Sequence, residues 1–168
     1  PEWIDKAVLP LEEKLELVNA RAEKIFPWKE ESCNGIEHDA FNRSFLVQPD
    51  LFLRLRPGME KMAKDKLKNA GIPFQEIDAH SIVLPNASKV DTVLETDKEV
   101  VVQDLNSQRV AHFVEKAAEH LDISCVWDCC AGSGGKSIMT FDTIDHIKLT
   151  VSDIRENILE NLEESFER

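Results

Sequence analysis

The chain has 168 residues, 42% of them hydrophobic, and a formal net charge of −12. This length accommodates one domain or two small ones. The strong negative charge argues against a general affinity for nucleic acid. The sequence has no apolar run of the ~18 residues that a membrane-spanning helix needs, and it opens without a secretory signal. We therefore expect a cytoplasmic protein with no membrane partner.

Residues 1–50 are predicted to be a helical and irregular segment. Apolar residues recur at helical spacing over 11–25, between Pro10 and Pro27, which predicts one amphipathic helix. The remainder of the segment is irregular in pattern. Aromatic residues provide its expected anchors, namely Trp28, Phe41 and Phe45.

Residues 51–99 are predicted to form a small α+β domain. Alternating leucines at 51–55 are typical of a strand with one buried face, which places Arg54 and Arg56 on the solvent side. A helix and two further strands follow. Residues 51–70 carry six basic groups against two acidic ones. Such a basic island can face RNA, although an ordinary solvated surface is the simpler interpretation.

Residues 100–168 are predicted to begin a parallel, Rossmann-like sheet, so the expected fold class is α/β. Ser107 can cap a helix. We expect a strand at 125–130, the glycine turn at 131–137 and a helix at 138–144. A second strand is expected at 147–152 and a last helix from 154 onward. Two parallel strands are too few to cover their faces. We therefore expect a truncated sheet, in a chain that is a fragment or that another chain completes.

Cysteine usage favours a reducing compartment. Cys125, Cys129 and Cys130 fall in or beside the apolar run that we interpret as a buried strand. Their spacing lacks the paired C-x-x-C pattern of zinc sites. The sequence therefore predicts reduced thiols in the core and no metal.

The segment from Asp128 to Ser137, which reads DCCAGSGGKS, joins the two predicted parallel strands. Its glycines allow a ligand to approach the backbone closely, and the following helix N-terminus offers N–H groups to an anionic group. A P-loop also needs a glycine where Cys130 stands. A dinucleotide fingerprint needs its third glycine at Ser137. A nucleoside cofactor is the third possibility, because Asp153 ends the next apolar run and can accept hydrogen bonds from both ribose hydroxyls.

Three motifs occur in an order that one known family shares. Residues 128–137 resemble D-x-C-A-A-P-G-G-K-T, residues 102–108 resemble Q-D-x-S-S-Q, and residues 51–57 resemble P-x-x-L-R-x-N. Together they resemble the Sun/Fmu family of S-adenosylmethionine-dependent RNA cytosine-5 methyltransferases. The chain departs from the pattern at Gly132 and Ser133, which replace the usual Ala-Pro.

The resemblance implies S-adenosylmethionine as the cofactor. Asp153 would hold its ribose, although Asp153 can also be read as a helix cap that forms a capping box with Glu156. Gln103, Asp104 and Gln108 could order the rim of the site. The residues implied to bind the cofactor are Cys130, Ala131, Gly132, Ser133, Gly134, Gly135, Lys136 and Asp153.

The resemblance also implies a reaction, methylation of cytosine C5 in structured RNA, with rRNA the favoured substrate and residues 51–99 as an RNA-binding domain. Catalysis in the family needs a cysteine of a T-C-S motif, which attacks C6. Neither this motif nor the family's second cysteine motif occurs here, so the nucleophile is expected beyond Arg168. The chain alone is expected to be inactive. The alternatives are a non-catalytic RNA- or ribosome-binding module and a P-loop-like NTPase.

Overall fold

The computed structural model describes residues 4–167. The chain divides into two compact units, Pro1–Pro49 and Asp50–Arg168. The predicted α/β class is confirmed, because the second unit combines an antiparallel sheet with a pair of parallel strands and several helices. Among the described residues, none of the helices has the length and apolarity that crossing a bilayer requires.

The first unit contains helices α1 (Leu11–Leu17) and α2 (His38–Ser44). The predicted helix over 11–25 is too long. Asn19 adopts a positive φ of 48°, and the N–H of Ala20 donates to the carbonyl of Leu15 at 2.9 Å. A left-handed residue of this kind closes a helix by satisfying its last carbonyls. The chain therefore turns before a short 3₁₀ segment at Ala22–Lys24.

Aromatic contacts and one buried amide organise the interior of the first unit. The ring of Phe26 packs edge-on against Trp28 and Phe41, at centroid distances of 5.3 and 5.4 Å. Phe41 in turn contacts Phe45 at 5.0 Å. The buried Asn42 accepts a hydrogen bond from the N–H of Phe26 at 2.7 Å. These contacts tie α2 to the preceding loop.

The second unit begins with a four-stranded antiparallel sheet of order β2-β3-β1-β4. Its core is formed by buried aliphatic residues of the strands, of helix α3 and of the connection before β4. Gly71 follows α3 with a φ of 68°, the expected helix end. The bounds are β1 Leu51–Leu55, α3 Glu60–Asn69, β2 Gln75–Glu76, β3 Ser81–Leu84 and β4 Val100–Val102.

The second part of this unit is built around two parallel strands, paired in the register Val126↔Leu149. Asp104 caps the first helix by accepting from the N–H of Asn106 at 3.0 Å. The predicted cap at Ser107 is wrong, because Ser107 lies inside this first helix, and the next helix begins after Val110 without a side-chain cap. The bounds are α4 Leu105–Gln108, α5 Ala111–His120, β5 Cys125–Asp128, α6 Gly135–Thr143, β6 Lys148–Val151 and α7 Glu156–Glu167.

The prediction of buried thiols is wrong, since all four cysteines are exposed. In β5, Val126 and Asp128 are half-buried, whereas Cys125 and Trp127 are exposed. Parallel strands are usually covered on both faces. Here the apolar run of β5 has only one covered face within residues 4–167, so its other residues meet solvent.

The prediction that Arg54 and Arg56 face solvent is also wrong. Helix α6 brings Asp142 to the second face of β1, where the carboxylate accepts from Arg54 Nη1 and from Arg56 Nη2, each at 2.6 Å. The three side chains are 7–22% exposed. This Arg54–Asp142–Arg56 cluster connects the antiparallel sheet to the helix that follows the glycine turn.

The predicted basic island is largely neutralised by its neighbours. Besides the two arginines, Lys64 donates to Glu76 and Lys66 donates to Glu99, both at 2.6 Å. Burial alone would raise the pKa of Glu99, but the hydrogen bonds from Lys66 and a backbone N–H outweigh it, and the pKa is lowered. Four of the island's six basic groups are therefore paired with carboxylates.

Candidate cofactor-binding site

The turn between β5 and α6 depends on two left-handed glycines, Gly132 (φ 55°) and Gly134 (φ 83°). Only glycine adopts such φ values without a steric cost. Gly134 immediately precedes α6 and is buried. A Cβ on it would lie 1.9 Å from Leu162 Cδ1 of α7. A larger residue at 134 therefore requires Leu162 or the loop backbone to shift.

Asp128, at the end of β5, ties the two ends of the loop together. Its Oδ1 accepts from the N–H of Cys130 at 3.2 Å, and its Oδ2 accepts from Ser137 Oγ at 2.7 Å. Ser137 lies in the first turn of α6 and is buried. The position of α6 relative to the strand is thereby fixed by a charge-assisted hydrogen bond.

We expect Ser137→Ala to destabilise the second unit by about 1.5–3 kcal/mol, the usual contribution of a hydrogen bond to a charged group. Thr140→Ala is the matched control. Thr140 lies on the same helix, and its hydroxyl only donates to the carbonyl of Lys136 at an exposed position, so its loss should cost less than about 0.5 kcal/mol. Urea unfolding of the two variants measures the difference. Equal effects would contradict the assigned role of Ser137.

Asp153 follows β6 and binds the loop directly. Its Oδ2 accepts from the N–H of Gly132 at 2.9 Å, and its Oδ1 accepts from both the N–H and Nε of Arg155 at 3.0 Å. The side chain of Asp153 is only 2% exposed, whereas that of Arg155 is 55% exposed. The Arg155 guanidinium first, and then the two backbone N–H groups, hold the pKa of Asp153 well below its ordinary value.

The lowered pKa of Asp153 predicts a dependence of stability on pH. A carboxyl whose pKa is lower in the folded state stabilises the fold above its unfolded pKa, here about 3.8, and that stabilisation disappears as the pH falls further. We expect Asp153→Asn to lower the free energy of unfolding at pH 7, with the difference from the unsubstituted chain narrowing below about pH 4. Denaturant titrations across this range measure it. A pH-independent difference would be the contrary result.

Gln103 lies beside Gly135 of the loop. It is buried, its Oε1 accepts from Arg54 Nε at 3.0 Å, and its Nε2 has no hydrogen-bond partner among the described residues. That Nε2 lies 3.4 Å from where a Cβ of Gly135 would stand. Of the other two predicted rim residues, Asp104 caps α4, and Gln108 Nε2 donates to the carbonyl of Gln103 at 2.7 Å.

The remaining predicted residues lie along the turn with different exposure. Cys130, Ser133 and Lys136 are exposed. Ala131 is buried, and its N–H donates to the carbonyl of Ser152 at 3.1 Å. The sequence reasoning missed Arg155, although an arginine two residues after a strand-end acid was a usable signal. It also missed Leu162, which only the packing of α7 places against the loop.

The geometry argues against one of the three kinds of site that the spacing left open, the P-loop. A P-loop serine must turn its hydroxyl toward Mg²⁺, but the Ser137 hydroxyl is buried and donates to Asp128. The acid on the neighbouring strand, by contrast, lies against the glycine turn through its bond to Gly132. This arrangement suits a ligand with hydroxyl groups beside the turn better than a metal-bound triphosphate.

Comparison with known proteins shows that a solved structure shares the fold of this chain. The chain is similar to the solved structure titled "Crystal Structure of PH0851", with a TM-score of 0.67 and 16% sequence identity. The similarity covers 95% of this chain and 36% of that one, so the chain spans about a third of the length of this neighbour. No model of a known protein family matches the chain, and no curated protein matches it. At this identity the comparison shows a shared fold.

Proposed function

We propose that this chain is the cofactor-binding portion of an S-adenosylmethionine-dependent methyltransferase that acts on RNA. The observation that carries the proposal is the hydrogen bond between Asp153 and Gly132. It places an ionised carboxylate from one parallel strand against the glycine turn of its neighbour, the arrangement by which an acid holds a ribose in nucleoside-binding sheets. The three sequence motifs support the same assignment.

The residues present fit such a cofactor in three respects. Asp153 has acceptor capacity for ribose hydroxyls once Arg155, which is more than half exposed, moves aside. The first N–H groups of α6 have no intrahelical acceptor and suit the cofactor's carboxylate. The unpartnered Nε2 of Gln103 beside Gly135 offers a further donor. When bound, the cofactor supplies an electrophilic methyl group, and these residues bind and orient it.

The substrate assignment is proposed from the motif resemblance, with cytosine C5 of structured RNA, rRNA first, as the methylated position. None of the four cysteines stands in a T-C-S sequence, so the proposal assigns the nucleophile to no residue of this chain and predicts no methyl transfer by it alone. Pairing of the basic island with Asp142, Glu76 and Glu99 argues against RNA phosphate contacts on that surface.

Ligand-observed NMR tests the cofactor assignment, because it detects weak binding. We expect saturation transfer to S-adenosylhomocysteine and none to ATP with Mg²⁺. Asp153→Asn should weaken binding about 10-fold or more, as expected for loss of charge-assisted hydrogen bonds. Asp145→Asn, at an exposed position before β6, is the control and should bind unchanged. Transfer to ATP alone would overturn the proposal.

Arg155 provides an independent check on the same site. Its ion pair with Asp153 competes with a ribose. The arginine end of this pair is 55% exposed, and ion pairs that are screened by solvent are weak. We expect Arg155→Ala to tighten binding of S-adenosylhomocysteine by less than about 5-fold, measured by the same titration. A large loss of affinity would show that Arg155 contacts the ligand rather than blocking its acceptor.

A further inference from the structure

A cavity of about 500 Å³ lies between the β2–β3 turn and the start of α5. We call it the α5 cavity. None of the residues that line it belongs to the glycine turn at 131–137. The lining residues that bear on its chemistry are Arg54, Asp78, Gln108, Arg109, Phe113 and Glu115.

Two buried side chains in this lining have polar atoms without partners among the described residues, and neither residue is more than 6% exposed. Gln108 Nε2 donates to a backbone carbonyl, which fixes the amide orientation and leaves Oε1 as an unused acceptor. Arg54 donates through Nε to Gln103 and through Nη1 to Asp142, which leaves Nη2 as an unused donor. Buried polar atoms nearly always have partners, and both residues line this cavity, so the two atoms are available to a ligand edge that offers a donor and an acceptor.

The rest of the lining favours a flat, neutral ring. Phe113 is 71% exposed, a large aromatic surface left open beside the cavity. Asp78 and Glu115 also line the cavity and would repel a phosphate placed inside it. Arg109 is exposed between α4 and α5 and can meet a phosphate outside the cavity. Base stacking on an aromatic ring is a recurrent mode of single-strand recognition.

We propose that the α5 cavity binds one unstacked base of a single-stranded RNA segment. The base edge pairs with Gln108 Oε1 and Arg54 Nη2, its ring stacks on Phe113, and Arg109 contacts the adjoining phosphate. The choice of RNA over another source of such a ring rests on the proposed function. The site is a binding site for substrate RNA and needs no cofactor.

Fluorescence anisotropy of labelled hexauridylate, measured on the full chain without cofactor, tests the site. A hexamer of equal charge with abasic residues is the ligand control. We expect Phe113→Ala to weaken hexauridylate binding about 10-fold or more and Phe113→Trp to preserve it, with Leu121→Ala at the other end of α5 as the matched exposed apolar control. Equal binding of the abasic hexamer, or no effect of Phe113→Ala, would overturn the proposal.

Two further comparisons test the phosphate contact and the base edge. Arg109→Ala should reduce the slope of log affinity against log salt concentration by about 1, the value for one lost phosphate contact, whereas Lys116→Ala in the nearby helix α5 should not. A hexamer of N3-methyluridine keeps the ring but blocks the edge. It should therefore bind more weakly than hexauridylate and more tightly than the abasic hexamer, because stacking on Phe113 remains. Binding equal to hexauridylate would contradict the edge contacts. A chain that binds S-adenosylhomocysteine but not hexauridylate would reject this site alone. A chain that binds hexauridylate but not S-adenosylhomocysteine would reject the cofactor assignment.

Discussion

Replacing Asp142 by asparagine is expected to destabilise the second unit by about 3–5 kcal/mol, the usual effect of removing one partner from a buried ion pair. Asp142 accepts from Arg54 and Arg56 at once, and the asparagine would leave two like charges facing each other with little solvent. Burial already lowers the pKa of Arg54, and Asp142 opposes that shift. Without the carboxylate, only the neutral Gln103 still accepts from the buried guanidinium, and no negative charge offsets its desolvation.

The exposed pair of Lys64 and Glu76 provides the comparison. Both pairs have N···O distances of 2.6 Å, but the Glu76 side chain is 52% exposed and that of Asp142 only 7%. Glu76→Gln should therefore cost less than about 1 kcal/mol. Urea unfolding with equal m-values measures both substitutions. Similar small losses for the two would show that the Arg54–Asp142–Arg56 cluster does not hold α6 to the antiparallel sheet.

Replacing Gly134 by alanine is expected to cost about 2–5 kcal/mol. About 1–2 kcal/mol of this comes from the left-handed backbone, and about 1–3 kcal/mol comes from overpacking, since the new Cβ would stand 1.9 Å from Leu162 Cδ1. Leu162 is 1% exposed, so the side chain that would have to shift is buried. The substitution should also displace the glycine turn and reduce ligand binding there.

Gly58 separates the two contributions. Its φ of 80° nearly equals the 83° of Gly134, but a Cβ added to it meets nothing within 4 Å. Gly58→Ala should therefore show only the backbone cost of about 1–2 kcal/mol. The difference between the two variants, measured by denaturant unfolding, isolates the contact with α7. Equal losses would mean that α7 does not press against the loop.

Local patterns in the sequence predicted most strands and helices well. The alternating leucines of β1, the glycine after α3 and the apolar runs of β5 and β6 each follow from local periodicity or turn chemistry, and the structure has them. The α/β class follows from those elements. The antiparallel order β2-β3-β1-β4 does not, because strand pairing depends on contacts between distant segments.

Exposure was the property that the sequence predicted poorly. Period-two alternation gives the two faces of a strand but not what covers each face. Arg54 is buried because α6 brings Asp142 to it from 88 positions away. Cys125 and Trp127 are exposed because the structure has no second layer over β5 among residues 4–167. The spacing of residues within a strand indicates neither the contact between Arg54 and Asp142 nor the uncovered face of β5.

The sequence predicted the local features of the candidate site but not the contacts that complete it. The glycines of the turn and the acid after β6 are local features that the spacing predicted together, and the structure brings Asp153 to Gly132. Whether they bind S-adenosylmethionine stays a prediction. Arg155 covers the acid from two positions along the chain. Gln103 and Leu162 complete the site through tertiary contacts, and the contact with Leu162 explains why a side chain at position 134 is costly.

Mapping of backbone amide shifts on a ¹⁵N-labelled chain during titration with S-adenosylhomocysteine tests the central claim most directly. The account predicts that millimolar ligand shifts the amides of Gly132, Gly134 and Asp153, leaves those of α3 in place, and loses the effect in Asp153→Asn. Shifts confined to other parts of the chain, or no shift at the glycine turn at the same ligand concentration, would contradict it.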